Sequence, residues 1–113
     1  MPDAEDSLEQ LAGRLKTFAA ARDWGRFHSP KNLASALIVE AAELLEHFQW
    51  MTEAESRELA PSKREEVAME MADVLLYLVQ LSNELGIDLV QAAQAKVALN
   101  EVRFPTNGNN SAG

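Results

Sequence analysis

Apolar residues recur at intervals of three and four along most of the chain, which is the spacing of amphipathic α-helices. The pattern predicts four helices, spanning residues 7–22, 29–50, 62–85 and 88–103. No stretch alternates apolar and polar residues as a half-buried β-strand does, and the sequence contains no internal repeat. We therefore predict an all-α fold, a four-helix bundle.

Residues that favour helix starts and stops flank the predicted helices. Three helices begin with an N-capping side chain that is followed three residues later by Glu or Gln, as in a capping box. Pro30 suits the first position of the second helix, and Gly86 and Pro105 end the third and fourth. The three capping pairs are Ser7 with Gln10, Ser62 with Glu65, and Asp88 with Gln91.

The chain divides into one domain and a short tail. Its 113 residues are enough for a single hydrophobic core but not for two. The end of the sequence is rich in Gly, Asn and Ser, a composition typical of disorder. We predict an all-α domain of residues 1–105 and a disordered tail of residues 106–113. The polar connector at residues 51–62 is long enough for one helical turn.

The second helix is apolar on almost every side. Leu37 and Leu44 lie on one side of it, and Ile38 and Leu45 lie on the opposite side. A four-helix chain of this size cannot bury both sides of one helix, so a second subunit must cover one of them. We therefore predict a homo-oligomer, either a dimer or a tetramer.

Composition and charge narrow the range of partners. The formal net charge of −8 argues against binding polymeric nucleic acid, which usually needs a basic surface. No apolar run approaches the roughly 20 residues of a membrane span, and the acidic first residues lack the pattern of a signal peptide. The absence of cysteine is compatible with the cytoplasm. We predict a soluble, cytoplasmic protein that binds neither membranes nor polymeric nucleic acid.

Two carboxylate pairs interrupt otherwise apolar helical runs. Glu40 and Glu43 form an E-x2-E pair in the second helix, and Glu70 and Asp73 form an E-x2-D pair in the third. Residues three apart project from the same side of a helix. Burying carboxylates beside apolar residues is costly unless they are paired, protonated or bound to a metal. Since few basic residues lie nearby, the pairs predict a site for a hard divalent cation, and oxygen-only ligands favour Mg²⁺.

The other acidic residues are either possible outer members of this site or parts of solvated helix faces. Glu46 and Glu66 are ambiguous, because either could join the site as an outer ligand or a base. A di-iron or di-manganese bundle uses Glu-x-x-His pairs, whereas His47 follows Glu43 by four residues and the third helix has no His. We interpret His47 as a polar contact or an outer group of the site. The remaining candidates for solvated helix faces are Glu9, Glu53, Glu55, Glu58 and Glu101.

Lys96, Asn100 and Arg103 recur at i, i+4 and i+7, so they share one face of the fourth helix. Two cations and an amide donor on one face can hold phosphate oxygens. An exposed polar stripe explains the same pattern. The phosphate interpretation requires that this face meet the carboxylates.

Several aromatic and polar residues lie at helix ends or beside the acids. Trp24 and Trp50 could stack on a nucleobase, with His28 and Asn32 supplying hydrogen bonds, or they could close the ends of the core. Tyr77 lies one turn beyond Asp73 on the same face. Spacing alone does not separate the two interpretations.

Four motifs in this order resemble the MazG-like all-α nucleoside triphosphate pyrophosphohydrolases, and in particular their dCTP pyrophosphatase branch. The resemblance covers about residues 11–105. Its motifs are RDW-x2-FH-x-P-x-NL, E-x2-E-x4-FQW, E-x2-D-x3-Y and K-x3-N-x2-R-F-P.

The resemblance implies roles for the residues that match these motifs. It assigns the two acidic pairs to the Mg²⁺ site. It assigns the base pocket to Trp24, Trp50 and Tyr77, with His28 and Asn32 near it. It assigns the phosphate contacts to Lys96, Asn100 and Arg103. Family members are dimers or dimer-built tetramers. Two positions depart from the pattern: Val39 precedes Glu40 where many relatives have another acid, and Leu15 stands where some dCTP-directed relatives carry a base-contacting His.

The implied function is Mg²⁺-dependent cleavage of a (deoxy)nucleoside triphosphate, dCTP or a modified dCTP, to the monophosphate and pyrophosphate. Such an enzyme would clear unwanted nucleotides from the cellular pool. The alternative is a non-catalytic helical interaction module whose acids bind a structural cation.

Overall fold

The computed structural model describes residues 7–106, and all regular structure among them is helical. The all-α prediction is confirmed, and the connector at residues 51–62 does contain a short helix. No helix among the described residues has the length and apolar character that a membrane crossing requires. The helices are α1 (Leu8–Ala21), α2 (Pro30–Glu46), α3 (Glu53–Arg57), α4 (Pro61–Leu85) and α5 (Leu89–Arg103), with a 3-10 turn at Gly25–Phe27.

Several predicted helix ends are confirmed by hydrogen bonds. The Ser7 hydroxyl accepts a bond from the Gln10 backbone N–H at 3.0 Å, and the Asp88 carboxylate accepts one from the Gln91 N–H at 3.0 Å. Each bond satisfies a backbone donor that has no partner within its helix. Gly86 ends α4 with φ of 64°, a left-handed conformation that costs glycine nothing.

Two predicted boundaries are wrong. α4 begins at Pro61 with Ala60 as its N-cap, so Ser62 lies inside the first turn and caps nothing. The reason is that proline disfavours helical backbone at the preceding residue, and Ala60 is accordingly extended, with ψ of 151°. α2 ends at Glu46 and not at Trp50, because the chain turns through residues 47–50.

The packed part of the chain consists of three helices. α4 runs along α2 and also contacts α1, and Leu33, Val67 and Val79 are buried between them. The Asn83 side-chain amide donates to the Ala12 carbonyl at 3.0 Å and so ties α4 to α1. This arrangement brings the acid-bearing faces of α2 and α4 together.

α5 stands apart from this packing. It makes only sparse contacts with the other helices, and every residue from Val90 to Arg103 is exposed. A bundle of four helices is therefore not completed within one chain. The outer side of α2 is also uncovered, since Ile38 and Leu45 are 66% and 61% exposed. Both helices present apolar surface that the described part of the chain does not bury.

Candidate functional site

The connector between α1 and α2 is shaped by a left-handed residue. Asp23 has φ of 53°, a conformation that Asp tolerates better than most side chains. The turn lets the Trp24 N–H donate to the Ala19 carbonyl at 3.0 Å and places the Trp24 ring edge-on to Phe18, with centroids 5.3 Å apart. The His28 ring centroid lies 5.7 Å from that of Trp24. The aromatic residues of the connector are thus held against α1.

Asn32 holds the end of the connector. The Ser29 hydroxyl caps α2 by accepting from the Asn32 backbone N–H at 3.1 Å, and the Asn32 side-chain amide donates to the Phe27 carbonyl at 3.0 Å. The side chain predicted to contact a base therefore already donates to the backbone. Its direct effect in the structure is to fix the path of the chain beside His28.

A cavity of about 470 Å³ opens between α1, the connector and α4, and we name it the aromatic cavity. It brings together three residues that the sequence had assigned to a base pocket, Trp24, His28 and Tyr77. Asp73 forms part of its wall, so the cavity reaches the acidic residues of α4. The lining residues are Leu11, Arg14, Leu15, Phe18, Trp24, His28, Asp73, Leu76, Tyr77 and Gln80.

Three carboxylates meet where α2 packs on α4. One oxygen from each of Glu40, Glu43 and Glu70 lies within 4.8 Å of the others, and we name these three residues the acidic cluster. Glu40 and Glu70 are half-buried, whereas Glu43 is exposed. Asp73 lies outside this group of atoms but is close enough for its charge to act on both half-buried carboxyls.

The donor set fits a small hard cation. Mg²⁺ binds six oxygens at about 2.1 Å, so opposite oxygens of its octahedron are about 4 Å apart. The spread of 4.8 Å within the acidic cluster is close to that span, and all of its donors are carboxylate oxygens. Small side-chain movements would therefore bring three ligands to one Mg²⁺ ion, with positions left for phosphate oxygens.

Like charges in the acidic cluster disfavour full ionisation. Partial burial, a hydrogen bond with Glu43 and the charges of the neighbouring acids raise the pKa of Glu70 to about 7. A hydrogen bond with Glu43, partial burial and the charges of Glu43 and Asp73 also raise the pKa of Glu40. A divalent cation bound by these carboxylates would oppose both pKa shifts, because it favours the charged form of each group.

No basic side chain neutralises the acidic cluster by an ion pair within residues 7–106. Lys63, in the first turn of α4, pairs with Glu66 at 3.3 Å. The Lys63 ammonium also lies 3.3 Å from His47 Nδ1, so His47 makes a polar contact as the sequence suggested. Glu66 lines a neighbouring depression with Glu70 and Asp73, and Glu46 is exposed. The other ion pairs are Arg26 with Asp23 and Arg57 with Glu53, at 3.4 and 3.9 Å.

Two groups of predicted site residues are not brought to the cavity within the described chain. Trp50 follows the end of α2 and is 89% exposed. Lys96, Asn100 and Arg103 are exposed on α5, which barely contacts the helices that carry the acids. Their assigned roles stay predictions that depend on a second chain.

Two polar side chains that line the aromatic cavity, Arg14 and Gln80, were not predicted from the sequence. Gln80 lies seven residues after Asp73 on α4, so helical spacing alone could have placed it on the same face. Arg14 belongs to α1, and no motif in the sequence distinguishes it from the other cations.

Thermal stability of the metal-free protein should fall as the pH rises from about 4.5 to 7. The pKa of Glu70 is raised to about 7 from an ordinary value of 4.5, so its proton stabilises the folded state below pH 4.5. That contribution is lost as pH rises through 7, because the unfolded chain ionises the group more easily. Melting followed by circular dichroism in EDTA measures it.

Glu70→Gln is the control for this pH dependence. The amide cannot ionise, so the variant should lose less stability than the wild type between about pH 5 and pH 8. An equal loss in both proteins would contradict the assignment of the proton to Glu70.

Comparison with known proteins identifies the family. Residues 36–112 match the model of the MazG-like family. The chain is 42% identical to dCTP pyrophosphatase 1 of Bos taurus over 106 residues, and 42% identical to that of Homo sapiens over 105 residues. These alignments cover 92% and 91% of this chain but only 63% and 62% of the relatives, so the chain spans less than two thirds of their length.

A solved structure has the same fold. It is a pyrophosphatase from Archaeoglobus fulgidus, 36% identical in sequence, which superposes with a TM-score of 0.82 over 94% of this chain and 99% of its own. The match of the family model to most of the chain agrees with the motifs and with the acidic cluster between α2 and α4. The chain belongs to the MazG-like family.

Proposed function

We propose that the protein is a Mg²⁺-dependent nucleoside triphosphate pyrophosphohydrolase. It cleaves dCTP or a modified dCTP between the α- and β-phosphates and so removes unwanted nucleotides from the pool. The observation that carries the proposal is the position of Asp73, which lines the aromatic cavity and acts electrostatically on the acidic cluster. A nucleotide whose base enters the cavity has its phosphates beside the carboxylates.

The acids of α2 and α4 form the reaction centre. Glu40, Glu43 and Glu70 would hold Mg²⁺, with Asp73 completing the ligand set. Bound there, Mg²⁺ would offset the charge of the phosphates and lower the pKa of the attacking water. A carboxylate oxygen of this group accepts the proton that the water loses. Water adds across the α–β anhydride bond, and the nucleoside monophosphate and pyrophosphate leave.

The aromatic cavity receives the base. Trp24 offers a ring on which a base can stack, and Phe18 holds that ring edge-on. His28 and Tyr77 line the same space and supply polar groups. Stacking tolerates every base, so it contributes affinity, and hydrogen bonds to the base edge contribute selectivity.

The phosphate contacts come from a second copy of the chain. α5 projects from its own chain, carries Lys96, Asn100 and Arg103 on one face, and also exposes apolar residues such as Val97 and Leu99. The outer face of α2, with Ile38 and Leu45, is uncovered as well. A dimer, or a tetramer built from it, would bury these surfaces and bring cations to the acids of the partner. Trp50, at the end of α2, stays a predicted stacking residue of the assembled site.

A nucleotide panel tests the proposed reaction. The purified protein would be incubated with dCTP, 5-methyl-dCTP, dTTP, dUTP, dATP and dGTP, with Mg²⁺ or with EDTA, and the products separated by chromatography. We expect monophosphate and pyrophosphate, dependent on Mg²⁺, with the cytosine nucleotides preferred. Release of orthophosphate would contradict cleavage between the α- and β-phosphates.

The same panel separates the enzyme from the alternative. A non-catalytic module with a structural cation would release nothing from any nucleotide, yet Mg²⁺ would raise its melting temperature. The cytoplasmic location stays a prediction from the absence of cysteine.

Trp24→Ala should raise KM for all pyrimidine substrates together. Base stacking on an aromatic side chain is worth roughly 1–3 kcal/mol, which corresponds to about a five- to 150-fold change in KM. Steady-state kinetics with dCTP and dTTP measures the effect. Phe27→Ala is the matched control, since Phe27 is an exposed aromatic of the same connector outside the cavity lining. An unchanged KM in Trp24→Ala with a raised KM in Trp50→Ala would place the base against Trp50 instead.

A further inference from the structure

Gln80 has a buried polar atom without a partner. Its side-chain oxygen Oε1 is shielded from solvent and accepts no hydrogen bond within residues 7–106. The residue lies one turn beyond Tyr77 on α4, and its side chain forms part of the wall of the aromatic cavity. Native structures leave few buried polar atoms unpaired, because each one forfeits its hydrogen bond to water. This atom therefore requires an explanation.

The wall of the cavity carries the donors of Arg14, Trp24, His28 and Tyr77, but none of them donates to Gln80 Oε1 within residues 7–106. Leu15 and Leu76 line the same space and carry no polar atoms. The terminal torsion of a glutamine side chain is broad, so the amide can rotate into the cavity at little cost. Turned into the cavity, the amide oxygen can accept from water or, in place of that water, from an N–H donor of a bound ligand.

The edge of cytosine supplies such a donor. Cytosine presents an exocyclic amino group beside the ring acceptor N3, and a carboxamide complements this pair with its oxygen and its nitrogen. In protein–nucleic acid complexes, a single Asn or Gln side chain makes two hydrogen bonds of this kind to the edge of adenine, which also carries an amino group beside a ring nitrogen. A ring lying in the cavity against Trp24 turns its edge towards the surrounding wall, to which Gln80 belongs.

We propose that Gln80 is a specificity-determining residue that hydrogen-bonds the edge of the base, with Oε1 accepting from the exocyclic amino group of cytosine. The inference rests on the proposed function, because it takes the aromatic cavity as the base site. It goes beyond the acidic pairs and the aromatic residues, since it assigns the recognition of the amino group to one side chain of α4.

The test pairs a change in the protein with a change in the substrate. Wild type and Gln80→Met would be compared on dCTP and on the 2-pyrimidinone deoxynucleoside triphosphate, in which hydrogen replaces the amino group. We expect the wild type to prefer dCTP by about tenfold in kcat/KM, the value of one neutral hydrogen bond that is lost with its partner left buried. Gln80→Met should lose most of that preference, because neither substrate then gains the bond.

Leu76→Met is the matched control. It changes the wall of the same cavity to the same residue without removing a polar group, and it should keep the wild-type preference. A preference that is equal in Gln80→Met and wild type would overturn the inference. A change in the mass of the assembly without a change in preference would also overturn it, since Gln80 would then bind a neighbouring subunit.

Two further measurements keep the outcome decisive. If Gln80→Met does not fold, the wild type alone suffices, because equal kcat/KM for the two substrates excludes recognition of the amino group. If the wild type cleaves no nucleotide, the proposed function fails, but calorimetric binding of dCMP and its 2-pyrimidinone analogue still tests Gln80. Tighter binding of dCMP that is lost in Gln80→Met supports the inference, and equal binding overturns it.

Discussion

Glu40→Gln, Glu70→Gln and Asp73→Asn should each reduce kcat/KM for dCTP by roughly a thousandfold or more. A bound divalent cation contributes several kcal/mol of transition-state stabilisation, and each 1.4 kcal/mol is a factor of ten in rate. Under the proposed function each substitution removes one charged ligand of the metal and keeps the shape of the side chain. The carboxylates converge from two helices, so α2 and α4 variants should be affected alike.

The folded state should survive these substitutions. In the metal-free protein the pKa of Glu70 is raised by partial burial, a hydrogen bond with Glu43 and the charges of neighbouring acids, and that of Glu40 by the hydrogen bond, partial burial and neighbouring charges. Removing one charge relieves the repulsion among these acids. We expect unchanged helical circular dichroism and a melting temperature in EDTA at least as high as that of the wild type. Mg²⁺ should raise the melting temperature of the wild type but not of the variants, because it binds only the intact site.

Glu84→Gln controls for the loss of negative charge. It makes the same chemical change on the same helix as Glu70, but at an exposed position outside the acidic cluster. Its activity and its response to Mg²⁺ should equal those of the wild type. Full activity in both Glu40→Gln and Asp73→Asn would remove the metal site from α2 and α4.

Features encoded locally in the sequence were predicted correctly. The N-caps at Ser7 and Asp88 and the stop at Gly86 depend on residues within one turn of the helix end, and all three are confirmed. The convergence of Glu40 with Glu70 followed from their apolar surroundings, because two helices that bury the same core must also bring their neighbouring acids together.

Features that depend on competition or on distant contacts were harder to predict. Ser62 and Glu65 formed a credible capping box, but Pro61 controls the backbone before it and moves the start of the helix. Asn32 stays a predicted base contact, and the hydrogen bond from its amide to the Phe27 carbonyl, five residues earlier in the chain, was not predicted. The position of Trp24 depends on the left-handed conformation of Asp23, which helical periodicity does not encode.

The surroundings of α5 could not be predicted from one chain. Its spacing places Lys96, Asn100 and Arg103 on one face, but that face is exposed and α5 makes only sparse contacts with the other helices of its chain. The helix is long and carries exposed apolar residues along its length, among them Val102 at 80%. The periodicity of a sequence does not indicate which surface of another copy a helix contacts. An experiment must therefore identify such contacts.

Mixed assemblies of two inactive variants should regain activity. Under the proposed arrangement the acids of one chain act with α5 of its partner, so Glu70→Gln and Arg103→Ala damage the two halves of a site. In a mixed dimer, the site built from the acids of the Arg103→Ala chain and α5 of the Glu70→Gln chain is intact. Random mixing makes half of the dimers mixed, so about one quarter of wild-type activity should return.

Glu70→Gln mixed with Asp73→Asn is the control, because both substitutions fall on the same helix. Every site in those assemblies lacks one acid, so no activity should return. The two unfolded variants would be mixed and refolded together. Pyrophosphate release would be measured at equal protein concentration, and the mass of the assembly would be followed by light scattering. α5 barely touches the acid-bearing helices of its own chain, so its cations can reach the acids only in an assembly. A monomeric mass would therefore mean that the cations of α5 take no part in a shared site. A mixture of Glu70→Gln with Arg103→Ala that stays inactive would mean the same.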